Sequence, residues 1–351
     1  MEFIVFIWVI LLSALTFLPL VKHQHWFFRI PDFGRLQIIA LQLLTLPFLI
    51  YILSYSFTSA TILLLFFLLA STIYQAIILF PYINFESKKT ATQKKETISI
   101  LSVNVYQYNQ QYQKLIALVN NVKPNIFLTI ESNKDWEDAL SVLDNEYKYH
   151  QKIALENTYG MHFYSNIEVS NLKTHFFVAD DIPSIEVHLT TANGNDFVLY
   201  GIHPPPATPT EEPNSKEQDG ELMSIAKKSS KQNKTTIVVG DFNSVAWSRI
   251  TKLFAKVSGL KDGRIGRGFI STFPANYPIF RIPIDLVYHS KDINISCLKT
   301  LKPIGSDHLP LYIEFFITNK SNSKNNSINS DTLKETNTLI AEGIQETSEN
   351  R

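Results

Sequence analysis

One cysteine, Cys297, stands in a chain of 351 residues. An intrachain disulfide is therefore impossible, a cysteine-only metal site is excluded, and a lone thiol suits a reducing compartment. An excess of one charge is missing too. Lys+Arg and Asp+Glu total 32 each, so the chain lacks the basic surplus that marks a non-specific nucleic-acid binder. No internal repeat is visible. Three long stretches lack charge altogether: residues 3–20 (FIVFIWVILLSALTFLPL), 37–56 (QIIALQLLTLPFLIYILSYS) and 60–83 (ATILLLFFLLASTIYQAIILFPYI). Each approaches or exceeds the roughly 20 residues that cross a bilayer's hydrocarbon core. The first has no basic n-region and no A-x-A site, which argues against a cleaved secretory leader. Soluble core helices would keep a polar face, and these three in succession have none. Residues 1–85 therefore read as a three-span α-helical transmembrane anchor, with the lipid bilayer as its partner.

Basic residues beside the spans set the expected orientation. Lys22, Arg29 and Arg35 lie in the first loop, and Lys88, Lys89, Lys94 and Lys95 follow the third span. With three spans, that loop and everything after residue 85 share one side, and the basic side is the cytoplasmic one. The expected location is the inner (cytoplasmic) membrane, multi-pass, with the C-terminal domain in the cytoplasm.

Residues 86–97 (ESKKTATQKKET) read as a charged linker. From Ile98 onward, strand-like and helical patterns alternate. Strands are expected at 98–105, 125–132, 184–191, 196–203, 235–241, 284–290 and 310–317, and an amphipathic helix at 110–122. In that helix Leu115, Leu118, Val119 and Val122 recur at spacings of three and four. Mixed helical and hairpin-like links between strands suggest an α/β sandwich with mixed sheets. Residues 318–351, rich in Asn, Ser, Thr, Glu and Lys, read as a disordered polar tail that buries too little to offset its ordering entropy.

Polar residues recur where these strands end. Asn104 closes LSVNVY, Glu131 closes LTIES, and His203 closes YGIHPPP. Asp241 and Asn243 follow in IVVGDFNS, Asp285 in RIPIDLVY, and Asp307 with His308 in GSDHLPL. One strand-end aspartate is more often an Asx-turn cap than a catalyst. A series in chain order is harder to read as caps, because strand ends of layered α/β folds are where scaffolds hold functional side chains. Arg281, four residues before Asp285, reads as a substrate-phosphate contact. His162, His175, His188 and His289 read as packing or surface histidines, Cys297 as buried and inert, and Tyr106, Tyr108 and Tyr112 as helix-face packing.

The GDFN and SDH motifs, each beside an apolar strand on the appropriate side, resemble those of the endonuclease/exonuclease/phosphatase superfamily of DNase I-like metal-dependent phosphoesterases. The IHPPP and TFP…RIPID stretches resemble a membrane-anchored bacterial branch of it. The resemblance covers residues 98–317 and implies a four-layered α/β sandwich with two mixed β-sheets and an active site at one open edge. It implies Mg²⁺ or Mn²⁺ as cofactor, held chiefly by Glu131 with help from the amide oxygen of Asn104 and from Asp307, since hard divalent cations take oxygen ligands. It also implies that Asp241 orients or deprotonates water while Asn243 holds the water or a phosphate oxygen. His308, backed by Asp285, binds phosphate or shuttles a proton, and His203, with Asp181 as a candidate support, is the second histidine. The expected activity is phosphodiester hydrolysis by water attack on a phosphoester substrate, without an obligate protein partner. Alternatives are a membrane-tethered DNA endonuclease or exonuclease, a sphingomyelinase-like lipid phosphodiesterase, and an inactive membrane scaffold. Residues 97–317 carry 21 Lys+Arg against 23 Asp+Glu, a net of −2, which speaks against tight sequence-independent DNA binding.

Overall fold

A computed structural model describes residues 2–85, 96–318 and 328–346. The linker stretch 86–95 and the tail stretches 319–327 and 347–351 lie outside the described residues. The N-terminal part forms helices α1 (Glu2–Phe17), α2 (Trp26–Phe33), α3 (Arg35–Tyr55) and α4 (Ser59–Leu79). Three helices, Glu2–Leu20, Arg35–Tyr55 and Ser59–Tyr82, are long and apolar enough to cross a membrane. Their few polar side chains turn inward: Gln42 Nε2 donates to Thr16 Oγ1 at 2.9 Å and to Ser71 Oγ at 3.0 Å. Exposed Leu, Ile and Phe cover the outside.

The remaining strands are β1 (Ile98–Asn104), β2 (Ile126–Ile130), β3 (Tyr149–Ile153), β4 (Met161–Ser165), β5 (Glu168–His175), β6 (Ser184–Thr190), β7 (Asp196–Ile202), β8 (Thr236–Asp241), β9 (Lys261–Asp262), β10 (Asp285–His289), β11 (Ile293–Thr300) and β12 (Leu311–Ile317). They build two six-stranded mixed sheets, ordered β11-β12-β1-β2-β4-β3 and β5-β6-β7-β8-β10-β9. Helices α5 (Tyr112–Val122) and α6 (Lys134–Leu140) follow β1 and β2. Helices α7 (Lys216–Gln232), α8 (Arg249–Ser258) and α9 (Ser330–Gln345) belong to the other side.

Apolar residues on both faces of a strand explain the layering. Ile100, Leu128, Phe163, Val187, Leu199, Val239 and Ile313 meet between the sheets. Leu101, Val103 and Phe127 point the other way, onto Leu115, Val119 and Trp136 of α5 and α6. Tyr200 and Val238 pack outward against Leu222, Phe254 and Leu339 of α7, α8 and α9. The result is helix, sheet, sheet, helix: the four-layered sandwich.

Residues 330–345 correct the disordered-tail expectation, because they form α9. Asn329 caps it by accepting from Thr332 N at 3.0 Å. Its Gly343 sits so close to Gly220 of α7 that a Cβ on Gly343 would lie 2.9 Å from the Gly220 Cα. Leu339 is buried, and Lys216 pairs with Glu346 at 2.6 Å. The helix needs few large apolar residues because its backbone docks directly on another backbone. Cys297 is half-buried rather than buried. Tyr112 packs on Trp136, whereas Tyr106 and Tyr108 are exposed and precede the helix.

The first loop and the domain meet at one end of the helices. Arg29 of α2 grips Asp219 with two hydrogen bonds of 2.8 and 2.6 Å. Trp247 Nε1 donates to the Asp32 carbonyl at 2.8 Å, and Ser215 N to the Gln24 carbonyl at 2.9 Å. An apolar cluster of Leu79, Tyr82, Trp247 and Ile284 closes the joint, with Phe33, Leu36, Ile39, Phe273 and Ile282 packed around it.

Candidate active site

Two parallel strand pairs aim their ends at one edge of the sandwich. In β1 and β2, Asn104 lies opposite Ile130, so Asn104 and the following Glu131 emerge side by side. In β7 and β8, Ile202 lies opposite Gly240, which brings out His203 and Asp241 together. Antiparallel β10 starts at the same level, with Asp285 opposite Asp241. The loop before β12 delivers Asp307 and His308.

Backbone conformation fixes these side chains. Gly240 has φ +149°, and a Cβ there would stand 2.1 Å from the Ile202 carbonyl oxygen. Only glycine lets β8 run that close to β7 just before Asp241. Asn243 turns at φ +49°, its N–H donating to Asp241 Oδ1 at 2.8 Å and its Nδ2 to the Pro204 carbonyl at 2.9 Å. Gln218 of α7 donates to the Phe242 and Asn243 carbonyls at 3.2 and 2.7 Å, so the GDFN turn is clamped from behind. Glu131 holds φ +60°, a left-handed conformation that costs a non-glycine residue about 1–3 kcal/mol and persists where surroundings impose it.

Asn104 ties the two carboxylates together. Its Nδ2 donates to Glu131 Oε1 at 2.7 Å and to Asp241 Oδ2 at 3.2 Å, while its Oδ1 accepts from Tyr106 N at 3.0 Å. Here the amide nitrogen, not the expected amide oxygen, faces the carboxylates, because the oxygen is engaged in the turn after β1. Burial pushes Glu131 up to about 7, against the opposing pull of the Asn104 hydrogen bond and His308. The charged groups that act on it most strongly are His308, Asp307 and Asp241.

His308 lies between two aspartates. Its Nδ1 donates to Asp285 Oδ2 at 2.8 Å, and its Nε2 stands 3.6 Å from Asp241 Oδ2. Burial by itself lowers this imidazole, but Asp285 and Asp241 outweigh it and lift it to about 10. Burial and the nearby Asp285 raise Asp241. Phe273 covers the His308 ring with centroids 4.8 Å apart. Burial lowers His203 to about 4, so it is neutral, and its Nδ1 has no hydrogen-bond partner among the described residues. Asp181 accepts from Asn157 Nδ2 at 3.1 Å.

Asp307 is half-buried beside this group, with Ser306 Oγ 3.4 Å from its Oδ1. Arg281 stands apart: its guanidinium donates to the Ala275 carbonyl, and Ala275 N donates to the Asp307 carbonyl at 2.6 Å. The site thus gathers Asn104, Glu131, His203, Asp241, Asn243, Asp285, Asp307 and His308, while Arg281 is one loop removed. Sequence reasoning missed Ser306, whose Oγ donates to the Asn104 carbonyl at 2.8 Å and accepts from His308 N at 3.0 Å. Its only signal was adjacency to the Asp-His pair. Gln107 was missed as well; its N–H lies 3.4 Å from Glu131 Oε2.

Two donor sets suit a cation. Ligand atoms of Asp241, Asp285 and His308 lie within 4.8 Å of one another. The other candidate is the oxygen-only pair Glu131 and Asp307, whose carboxylates act on one another electrostatically. In the first set Nδ1–H is committed to Asp285, and the two aspartates favour the charged imidazole, which makes His308 a proton donor before it is a ligand. The half-buried Glu131 carboxylate is the donor whose chemistry fits a hard divalent ion.

A four-layered sandwich with carboxylates, an amide and two histidines converging at one open edge defines a DNase I-like phosphoesterase. The chain belongs to the Endonuclease/Exonuclease/phosphatase family, whose model matches residues 101–308. It is accordingly a divalent-metal-dependent hydrolase acting on phosphoester bonds. Among solved structures it is similar to the human Nocturnin catalytic domain with bound sulfate anion (16% identity, 64% of this chain and 98% of that chain, TM-score 0.51). It is also similar to D. rerio TDP2 complexed with single strand DNA product (13%, 63% and 99%, TM-score 0.51). A third likeness is to an endonuclease/exonuclease/phosphatase family protein from Bacteroides thetaiotaomicron (17%, 64% and 100%, TM-score 0.51). At these identities the likeness is one of fold alone. No curated protein matches the chain significantly.

Proposed function

We propose that this chain is a membrane-anchored phosphodiester hydrolase that uses Mg²⁺ or Mn²⁺. The observation that carries the reading is the division of labour among the charges: a protonated histidine held between Asp285 and Asp241, beside a half-buried Glu131 carboxylate tied to Asn104. Glu131 and Asp307 would hold the cation, which supplies charge to offset the negative charge that grows on the phosphoryl oxygens. Asn104 keeps Glu131 and Asp241 at fixed separation. Asp241, whose Oδ1 accepts from the Asn243 N–H and whose Oδ2 accepts from Asn104 Nδ2, keeps a further lone pair on Oδ2 as acceptor for the proton of an attacking water. Asp285 orients His308 and stabilises its charge, so that Nε2 presents a proton to a phosphate oxygen or the leaving group. Neutral His203 hydrogen-bonds without adding charge. Placing this machinery on a helix-borne joint favours phosphoesters carried by the membrane. The net charge of −2 over residues 97–317 makes a DNA substrate the weaker reading.

The test is a substrate panel for the full chain in detergent: a chromogenic phosphodiester, phospholipid vesicles, and supercoiled and single-stranded DNA, each with Mg²⁺, Mn²⁺ or EDTA. Chelator-sensitive hydrolysis of the diester and the vesicles is expected, and Asp241→Asn should lower it roughly 10²-fold or more. Cleavage confined to DNA would replace the lipid reading with a tethered nuclease. Hydrolysis that ignores EDTA would overturn the mechanism.

A further inference from the structure

One segment of the domain is apolar, exposed and attached to both the site and the anchor. Residues 273–282 form a hairpin closed by Phe273 N donating to the Ile282 carbonyl at 3.2 Å. Its base touches the catalytic group, since Phe273 covers His308 and Ala275 N donates to the Asp307 carbonyl at 2.6 Å. Phe273 and Ile282 of the same base pack against the buried cluster of Leu79, Tyr82, Trp247 and Ile284 that Phe33, Leu36 and Ile39 of the N-terminal helices also cover. Its tip, Tyr277-Pro278-Ile279-Phe280, leaves Tyr277 63%, Ile279 82% and Phe280 61% exposed. Three large apolar side chains held out on a short rigid turn have no reason to face water. Gln37 Nε2, in the first turn of α3, donates to the Ile279 carbonyl at 2.9 Å. The tip therefore stands level with the start of a span, where the apolar exterior of the anchor begins. Phe27 and Ile30, exposed on one face of α2, flank the same joint.

We propose that the 277–280 tip is a wedge that inserts into the lipid leaflet on the domain's side, fixing the mouth of the active site against the bilayer surface. This rests on the reading of the three apolar helices as membrane spans. An aromatic and aliphatic tip of this size suits the boundary between headgroups and acyl chains, roughly 5–10 Å deep. Its rigid link to Asp307 and His308 then sets the height at which a lipid-borne phosphoester meets the catalytic group.

The test places a fluorophore at single sites in the full chain, in a Cys297→Ser background that removes the one native thiol. NBD-labelled Ile279→Cys, Phe66→Cys in the middle of α4, and Val142→Cys beyond α6 are reconstituted in phosphatidylcholine–phosphatidylglycerol vesicles bearing a shallow spin-labelled lipid. The expected result is blue-shifted emission and several-fold quenching at position 279 and membrane burial at position 66, with water-like emission at position 142. A water-like probe at 279 with a buried probe at 66 would overturn the wedge while leaving the anchor intact. A water-like probe at 66 would overturn the anchor, and the wedge with it.

Discussion

Gly240 carries no functional group, yet Asp241 depends on it. A methyl group there would collide with the Ile202 carbonyl oxygen at 2.1 Å, and a carbonyl in a paired strand cannot give way cheaply. Gly240→Ala is expected to destabilise the fold by about 1–3 kcal/mol and to depress hydrolysis in the molecules that remain folded, read by denaturant midpoint and by turnover per folded enzyme. His162 makes the opposite case. Burial lowers it to about 3 from an ordinary 6.5, and neither ring nitrogen has a hydrogen-bond partner among the described residues. Between those two values the unfolded chain binds a proton that the folded chain does not. Its contribution is therefore present above pH 6.5 and lost as the pH falls toward 3. His162→Phe should leave stability at pH 7 unchanged or higher and flatten its decline between pH 6.5 and 5 in urea titrations. An unchanged slope would refute that account. Reading His162 as a packing histidine from sequence was possible; its lack of partners was not, because partners come from strands distant in the chain.

Elements were legible in proportion to how evenly they are covered. Strands β1, β2, β7, β8, β10 and β12 announced themselves because each is apolar on both faces or nearly so, and β6 (SIEVHLT) because its apolar residues alternate with polar ones. The edge and near-edge strands did not: β3 (YHQKI) and β5 (EVSNLKTH) are half-exposed, and such strands keep charges that suppress pairing with other chains. Helix α2 stayed hidden inside a loop noticed only for its basic residues, and its Arg29–Asp219 pair spans 190 positions. Helix α9 was hidden by its polarity. Its docking rests on the Gly220–Gly343 approach, which no local pattern encodes. Gly343→Leu should push α9 off α7 and expose residues 330–345 to protease under native conditions, while α5 and α6, against the other sheet, remain protected. Equal protection of α9 in the variant would show that other contacts hold it. At the site, the polar strand ends were readable, but the direction of the Asn104 amide was not, since it depends on the turn at Tyr106.

On the scale of the whole molecule, the domain does not hang from the anchor by a linker alone. The Arg29–Asp219 pair, the Trp247–Asp32 hydrogen bond and the cluster around Tyr82 fix the catalytic edge relative to the helices. On the proposed reading of the three helices as membrane spans, a fixed edge makes orientation toward the bilayer part of the mechanism. Ile279→Asp combined with Phe280→Asp should therefore slow hydrolysis of vesicle-borne phosphoester by roughly tenfold or more and leave a soluble diester nearly unaffected; equal slowing of both would assign the tip a purely structural role. The catalytic assignment turns on whether Glu131 is where the cation binds. The most direct measurement is a Mn²⁺ titration followed by the electron paramagnetic resonance signal of the free ion, on wild-type chain, Glu131→Gln and Asp285→Asn. Binding in the wild type that weakens at least tenfold in Glu131→Gln and little in Asp285→Asn is the predicted result. Binding undiminished in Glu131→Gln but lost in Asp285→Asn would move the metal to the Asp241–Asp285–His308 group and contradict the account.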